Sequence, residues 1–253
     1  MSFAACDYSD PYQSANRTFL NALYNQKNVR AVGRYYNYCA SLNSSEIGGC
    51  TPPSGDYNTV LTKTEADTIH SAGLKIWTVF ENQATIDYFT YAQGQNDCTQ
   101  AVYLAEKAVQ PINSVIYFAV DLCEDPSSST YNTYLNNVTS YFNGVINRMT
   151  VQYGNTYGIG VYSDTATFNY LKSNLSDPKW LGSYWHQCGS VGTPSPAIKQ
   201  YNGSDGYFLW CYDENTNTFV TEDSYSCPTG YTYEADIDEV YDVYDSMGYL
   251  IYW

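Results

Sequence analysis

Val115-Ile116-Tyr117-Phe118-Ala119-Val120-Asp121-Leu122 is the most apolar run in the chain, and it closes on an acid. So short a run, rich in β-branched and aromatic side chains, reads as a strand buried on both faces, the kind found in parallel sheets covered by helices. The same phrase recurs on either side of it. Residues 3–9, 29–37, 74–82, 158–163, 180–185, 197–202 and 233–240 are further strand candidates, which makes eight in all. Helical stretches separate most of them: residues 15–25, with Phe19, Leu20 and Leu23 at helical spacing, then 98–109, 130–153 and 165–174. A short helix ending at Gly73 is announced by Thr62 and Glu65, the two ends of a capping box.

Alternating strands and helices build parallel strands joined by crossover helices. Eight such alternations in 253 residues predict an α/β fold, a single (β/α)8 TIM-like barrel spanning 1–253. An open doubly wound sheet is disfavoured, since no Gly-rich phosphate loop follows the first strand. Two polar insertions interrupt the pattern, at about 38–58 and 203–231, the second with room for a small hairpin. No helix is evident between the seventh and eighth strands, so irregularity is expected there.

Composition narrows the partners. With 26 acidic and 11 basic residues the formal charge is -15, so nucleic acid and anionic membranes are repelled at long range. No run of eighteen apolar residues exists, which argues against a membrane span. Charged residues make up only 15% of the chain, and Tyr, Asn, Ser and Thr fill the gap in an extracellular manner. The 29 Tyr suit carbohydrate, because a phenol ring stacks on sugar faces while its hydroxyl hydrogen-bonds; the plainer reading, packing of barrel and helices, accounts for most of them.

The eight Cys, none in C-x-x-C or zinc spacing, read as disulfides of a secreted protein. Cys39 with Cys50, and Cys211 with Cys227, each flank a polar loop and are expected to staple it; Cys6, Cys98, Cys123 and Cys188 stay unassigned. Sequons at Asn16, Asn43, Asn137, Asn174 and Asn202 are glycosylation candidates if the chain passes through a eukaryotic secretory pathway. The start, Met-Ser-Phe-Ala-Ala-Cys, has no apolar signal core, so a signal peptide is either removed or absent.

Closing a barrel brings the carboxyl ends of distant strands to one mouth. Here those ends are acidic: Asp7 on the first strand, Glu81 on the third, Asp121 on the fourth, Asp236 and Asp238 on the eighth, with Arg34 near the end of the second. Of the last pair, Asp236 is expected to reach the mouth. Like charges that converge raise one another's pKa, and glycoside hydrolysis needs such a split: one carboxylic acid kept protonated, one carboxylate ionised. The bland reading is that some of these acids cap helices or turns. No cofactor and no metal is expected; Glu124-Asp125, the nearest approach to a calcium loop, lacks the D-x-D-x-D-G spacing. His70 reads as solvated or capping, whereas His186 follows the sixth strand close to the mouth. Acyl transfer is disfavoured by the lack of a G-x-S-x-G elbow. Tyr35, Tyr36, Trp77, Phe80, Tyr162, Trp185 and Tyr201 lie near strand ends as candidate sugar platforms, Trp77 being the one that reads best as core.

The order of these segments resembles a known family. Cys6-Asp7-Tyr8, Val32-Gly33-Arg34-Tyr35-Tyr36, Val79-Phe80-Glu81, Ile116 to Asp121, Gly160-Val161-Tyr162, Lys199-Gln200-Tyr201 and Ala235-Asp236-Ile237-Asp238 together are similar to a glycoside-hydrolase-like TIM-barrel domain long catalogued as a domain of unknown function. That family is related in fold to lysozyme-type muramidases, and the resemblance implies a polysaccharide such as peptidoglycan as partner. The muramidases carry Asp-x-Glu after strand four; this chain reads Asp121-Leu122-Cys123-Glu124, with Cys123 in the place of the acid. The expected roles are therefore Glu81, or failing it Glu124, as general acid, and Asp121 as nucleophile or electrostatic stabiliser. Asp7 and Asp236 tune them, while Arg34, Tyr36, Tyr162, Trp185, Gln200 and Asp238 bind and position substrate. The alternative is a catalytically inactive, extracellular structural or carbohydrate-binding glycoprotein on the same barrel.

Overall fold

The computed structural model describes residues 2–9, 16–37, 60–187, 191–201, 209–222, 227–229, 231–241, 244 and 247–253. Seven strands run parallel in chain order: β1 (Phe3–Asp7), β2 (Ala31–Tyr36), β3 (Lys75–Phe80), β4 (Val115–Ala119), β5 (Gly158–Ser163), β6 (Leu181–His186) and β7 (Ile198–Gln200). Between them lie helices α1 (Arg17–Gln26), α2 (Lys63–Ser71), α3 (Tyr91–Ala108), α4 (Tyr131–Tyr153) and α5 (Thr165–Asn174). Two further strands, β8 (Leu209–Asp213) and β9 (Thr218–Glu222), pair as a hairpin, which is the small hairpin expected in the second insertion. The last strand, β10 (Tyr233–Val240), hydrogen-bonds to both β1 and β7 and closes an eight-stranded barrel.

The closing strand departs from the all-parallel expectation: β10 is antiparallel to both of its barrel neighbours. The reason lies in the connection. Among the described residues no helix follows β7, so nothing carries the chain back to the bottom of the barrel before the last strand begins, and β10 has to run downwards. Its first half also pairs with β8, placing Asp7, Asp236 and Leu209 in one row across three strands. The irregularity expected between the seventh and eighth strands is this hairpin.

Strand alternation sorts the side chains into two cores. Ile116 and Phe118 of β4 face the helices, whereas Val115, Tyr117 and Ala119 fill the barrel with Trp77, Val79, Trp185, Ile198 and Val240. Trp77 and Trp185 meet edge to face at 5.7 Å near the middle of the barrel. Gly33 makes this possible: a Cβ there would lie 2.6 Å from Asp7 Cβ and 2.7 Å from the Trp77 ring. The bottom is closed by the last residues of the chain, where Trp253 and Ile76 exchange backbone hydrogen bonds of 2.7 and 2.8 Å, and Ile251 is fully buried.

Local signals set the helix starts. The capping box of α2 is formed as its sequence announces, Thr62 and Glu65 each bonding the other's backbone. Helix α3 begins seven residues earlier than expected, because Thr90 caps it through Gln93 N at 3.1 Å and the polar turns that follow hide its periodicity.

Cys211 and Cys227 form the expected disulfide. Cys6 and Cys98 are free and buried, which corrects the reading of all eight Cys as bridged: each is packed as a small apolar side chain in the outer core. Cys123 is disulfide-bonded. Cys39, Cys50 and Cys188 lie outside the described residues, as do Asn43 and Asn202. No helix among the described residues is long and apolar enough to cross a membrane.

Candidate functional site

The top of the barrel collects the acids. Parallel strands present their carboxyl ends there, and β10, running the opposite way, presents its amino-terminal half, so Asp7 lies opposite Asp236 in the β1–β10 register. Asp7, Glu81, Asp121, Asp236 and Asp238 all alternate onto the inward face. Asp7 and Asp238 are buried at 0% and 1% exposure, Glu81 and Asp236 are half-buried, and Asp121 is exposed at the rim. Both acids of β10 point inward, Asp236 at the mouth and Asp238 one layer deeper.

A hydrogen-bond network holds the deeper acids. Tyr35 donates its hydroxyl to Asp7 Oδ1 at 2.6 Å, Gln200 Nε2 donates to Asp7 Oδ2 at 3.2 Å, and Tyr162 donates to Gln200 Oε1 at 2.6 Å. Trp185 Nε1 donates to Asp238 Oδ1 at 3.1 Å. Asp238 Oδ2 is buried and accepts from no described residue, with the Asp7 carboxyl as its charged neighbour. At the rim, Gln187 Nε2 donates to Asp121. In contrast, the carboxyls of Glu81 and Asp236 make no hydrogen bond with any described residue.

Burial and like charge set the electrostatics. Burial, then the charges of Asp121 and Asp7, push Glu81 up to about 8. Asp7 is raised by burial to about 6, held back by its bonds from Tyr35 and Asp238 and by the Arg34 charge. Asp121 is raised by burial. Asp236 is raised well above the carboxylate range by burial and by Asp7 and Glu234, and Asp238 by burial and by its bond and charge contact with Asp7. Near neutral pH the mouth therefore contains a protonated Glu81, with the Asp121 carboxyl among the groups whose charge raises it.

Stability must follow. The folded chain holds the Glu81 proton more tightly than the unfolded chain, whose carboxyl titrates near 4.5, so the cost of ionising it is absent below 4.5 and complete above about 8. The melting temperature is expected to fall as pH rises through that window, with Asp7 adding to the lower part, and Glu81→Gln should flatten the decline. Equal slopes for both proteins in scanning calorimetry would contradict the assignment.

Several expected site residues lie elsewhere. Arg34 and Tyr36 alternate to the outer face of β2: Arg34 is fully buried, pairs with Glu65 at 2.6 Å and donates to the Tyr8 carbonyl, and Tyr36 donates to Gln110 at 2.8 Å. Neither lines the mouth. Trp185 is 1% exposed and acts from below through Asp238, with no ring face open to a sugar. Phe80 and Trp77 are likewise core. His186 is buried against the Tyr184 hydroxyl, and His70 is exposed with Nε2 3.3 Å from the Trp253 carbonyl oxygen. Glu124 accepts from Thr130 at 2.5 Å beside the start of α4 and is held below the usual carboxylate range, so it is no proton donor. Gln187 escaped the sequence reading. Its signal was the alternation Ser183, Trp185, Gln187, which continues the inward face past the end of β6.

A family model describing an Rv2525c-like, glycoside hydrolase-like domain matches residues 21–216. The chain belongs to that family. This Rv2525c-like domain is 31% identical over 165 residues to the uncharacterized protein FadG of Bacillus subtilis strain 168. The match covers 64% of this chain and 26% of FadG, so the chain spans about a quarter of that relative's length. Its fold is that of the Tat-secreted protein Rv2525c of Mycobacterium tuberculosis, with a TM-score of 0.60, 15% identity and 98% of each chain covered. The modular autolysin LytC of Streptococcus pneumoniae, whose structure includes a synthetic peptidoglycan ligand, superposes with a TM-score of 0.53 at 14% identity, over 95% of this chain and 47% of LytC. The catalytic domain of endolysin ply40 from Listeria bacteriophage P40 gives 0.51 at 11% identity, over 95% of this chain and 94% of that domain. The Rv2525c-like barrel thus has the glycoside hydrolase-like fold also found in peptidoglycan-lytic enzymes.

Proposed function

We propose that this domain cleaves a glycosidic bond of a cell-wall glycan such as peptidoglycan, with Glu81 as general acid and Asp121 as nucleophile or electrostatic stabiliser. One observation carries the reading: Glu81 is half-buried with an unbonded carboxyl raised to about 8, so at neutral pH it presents a proton to the mouth beside the Asp121 charge. That is the pairing of an acid and a carboxylate that glycoside hydrolysis requires. Asp7 adds to the charge that raises Glu81, Asp236 and Asp238 line the same mouth, and Tyr35, Tyr162, Trp185, Gln187 and Gln200 hold the carboxyls in place. The disulfide-bonded cysteines support an extracellular setting. Of the described sequons, Asn16 caps α1, Asn137 donates to the Ile86 carbonyl and Asn174 donates to the Tyr170 carbonyl within α5; of the three, Asn174 is the exposed one and the acceptor a glycosylated form would use.

A specific observation favours a second reading, a barrel that binds glycan without cutting it: Cys123 replaces the acid of Asp-x-Glu and is disulfide-bonded. The two readings separate on release of new reducing ends from purified peptidoglycan and from soluble β-1,4-linked amino-sugar oligomers across acid to neutral pH. Hydrolysis gives reducing ends that grow in proportion to enzyme; binding without release in every case would leave the second reading standing.

A further inference from the structure

Beside the mouth, where β10 leaves β7 and pairs with β8, lies a cavity of about 330 Å³. Asp7 and Asp236 line it, so it is continuous with the site described above. Leu209, Tyr231, Thr232 and Glu234 complete much of the wall, and the Cys211–Cys227 disulfide ties that wall to β8. Among the described lining residues three are acids, and none is Lys, Arg or His. The Asp236 carboxyl is desolvated, makes no hydrogen bond with a described residue, and is crowded first by Asp7 and then by Glu234. Carboxyls brought together without a counter-charge form a pocket complementary to a cation.

We infer that this cavity is a subsite for an ammonium group carried by the glycan, so that the domain prefers strands containing de-N-acetylated amino sugars over fully N-acetylated ones. The inference rests on the glycan reading of the mouth and names its substrate class. An ammonium beside Asp236 and Glu234 relieves their mutual repulsion, whereas an N-acetyl group brings no charge. It would leave the crowded carboxyls as they are.

The test uses the whole chain and two β-1,4-linked glucosamine tetramers, one fully N-acetylated and one fully de-N-acetylated, titrated calorimetrically just above pH 6, where Asp7 has ionised while the amines still carry charge. The wild type is expected to bind the amine form about tenfold or more tightly, an advantage that shrinks with added salt. Glu234→Gln, an exposed substitution outside the catalytic carboxyls, should reduce that advantage several-fold without lowering affinity for the acetylated tetramer. Equal affinities in the wild type, or a preference untouched by Glu234→Gln, overturn the subsite. Reducing-end release from acetylated substrate is measured alongside. Turnover without amine preference removes the subsite and leaves the hydrolase reading; amine preference without turnover does the reverse.

Discussion

Glu81→Gln is expected to lower glycan turnover by about 10²- to 10⁴-fold, the range associated with losing a positioned general acid. Gln keeps the volume and a hydrogen-bonding head but has no proton to give to the leaving oxygen. Because the Glu81 carboxyl bonds to no described residue, its replacement breaks no internal contact, and binding of glycan should survive. Asp121→Asn should reduce turnover comparably for a different reason: the negative charge facing the developing positive charge is removed, while the bond from Gln187 can be remade to the amide oxygen. The pH profile separates the two roles. Loss of the high-pH limb, set by Glu81 near 8, belongs to the acid, and loss of the low-pH limb belongs to Asp121. A kcat unchanged by Glu81→Gln would remove the acid from the mechanism.

The second large effect concerns stability. Arg34 is fully buried between β2 and α2, with its Nε 2.6 Å from Glu65 and its guanidinium 4.9 Å from the Tyr8 ring centroid. Removing one partner of a buried ion pair strands the other charge in a medium that cannot solvate it, so Arg34→Ala should destabilise the fold by about 3–5 kcal/mol. Glu65 has a second duty in the α2 capping box, so its own loss should fray that helix as well. Replacing both partners with Met should recover much of the loss in urea unfolding. A full loss of stability in the double variant would point to packing instead of charge.

Arg34 also shows how far the sequence was legible. The alternation of β2 and the acids at strand ends were both readable, and with them the barrel and the convergence of Asp7, Glu81, Asp121 and Asp236. The face on which Arg34 and Tyr36 lie was readable too, once Gly33 and Tyr35 are assigned inward; the polar character of Arg34 concealed it, because a buried outer-face ion pair needs a partner 31 residues away on a helix. Trp185 looked like a sugar platform for a similar reason. A residue one layer below the mouth has the same parity as one at the mouth, and depth is set by barrel stagger, which periodicity does not carry. The direction of β10 follows from the missing helix after β7, a feature the sequence displayed as irregularity without giving its sense. Cys6 and Cys98 are free and packed in the outer core, a matter of three-dimensional placement that an even Cys count does not disclose.

The central claim is that barrel closure gathers distant acids closely enough for one to hold its proton near neutral pH. Carboxyl ¹³C NMR of selectively labelled protein, with the Glu81 signal assigned by its loss in Glu81→Gln, tests this directly. The predicted midpoint for Glu81 is about 8, falling in Asp121→Asn as the neighbouring charge is removed. A midpoint close to the ordinary 4.5, unmoved by Asp121→Asn, would mean that the acids do not share a site.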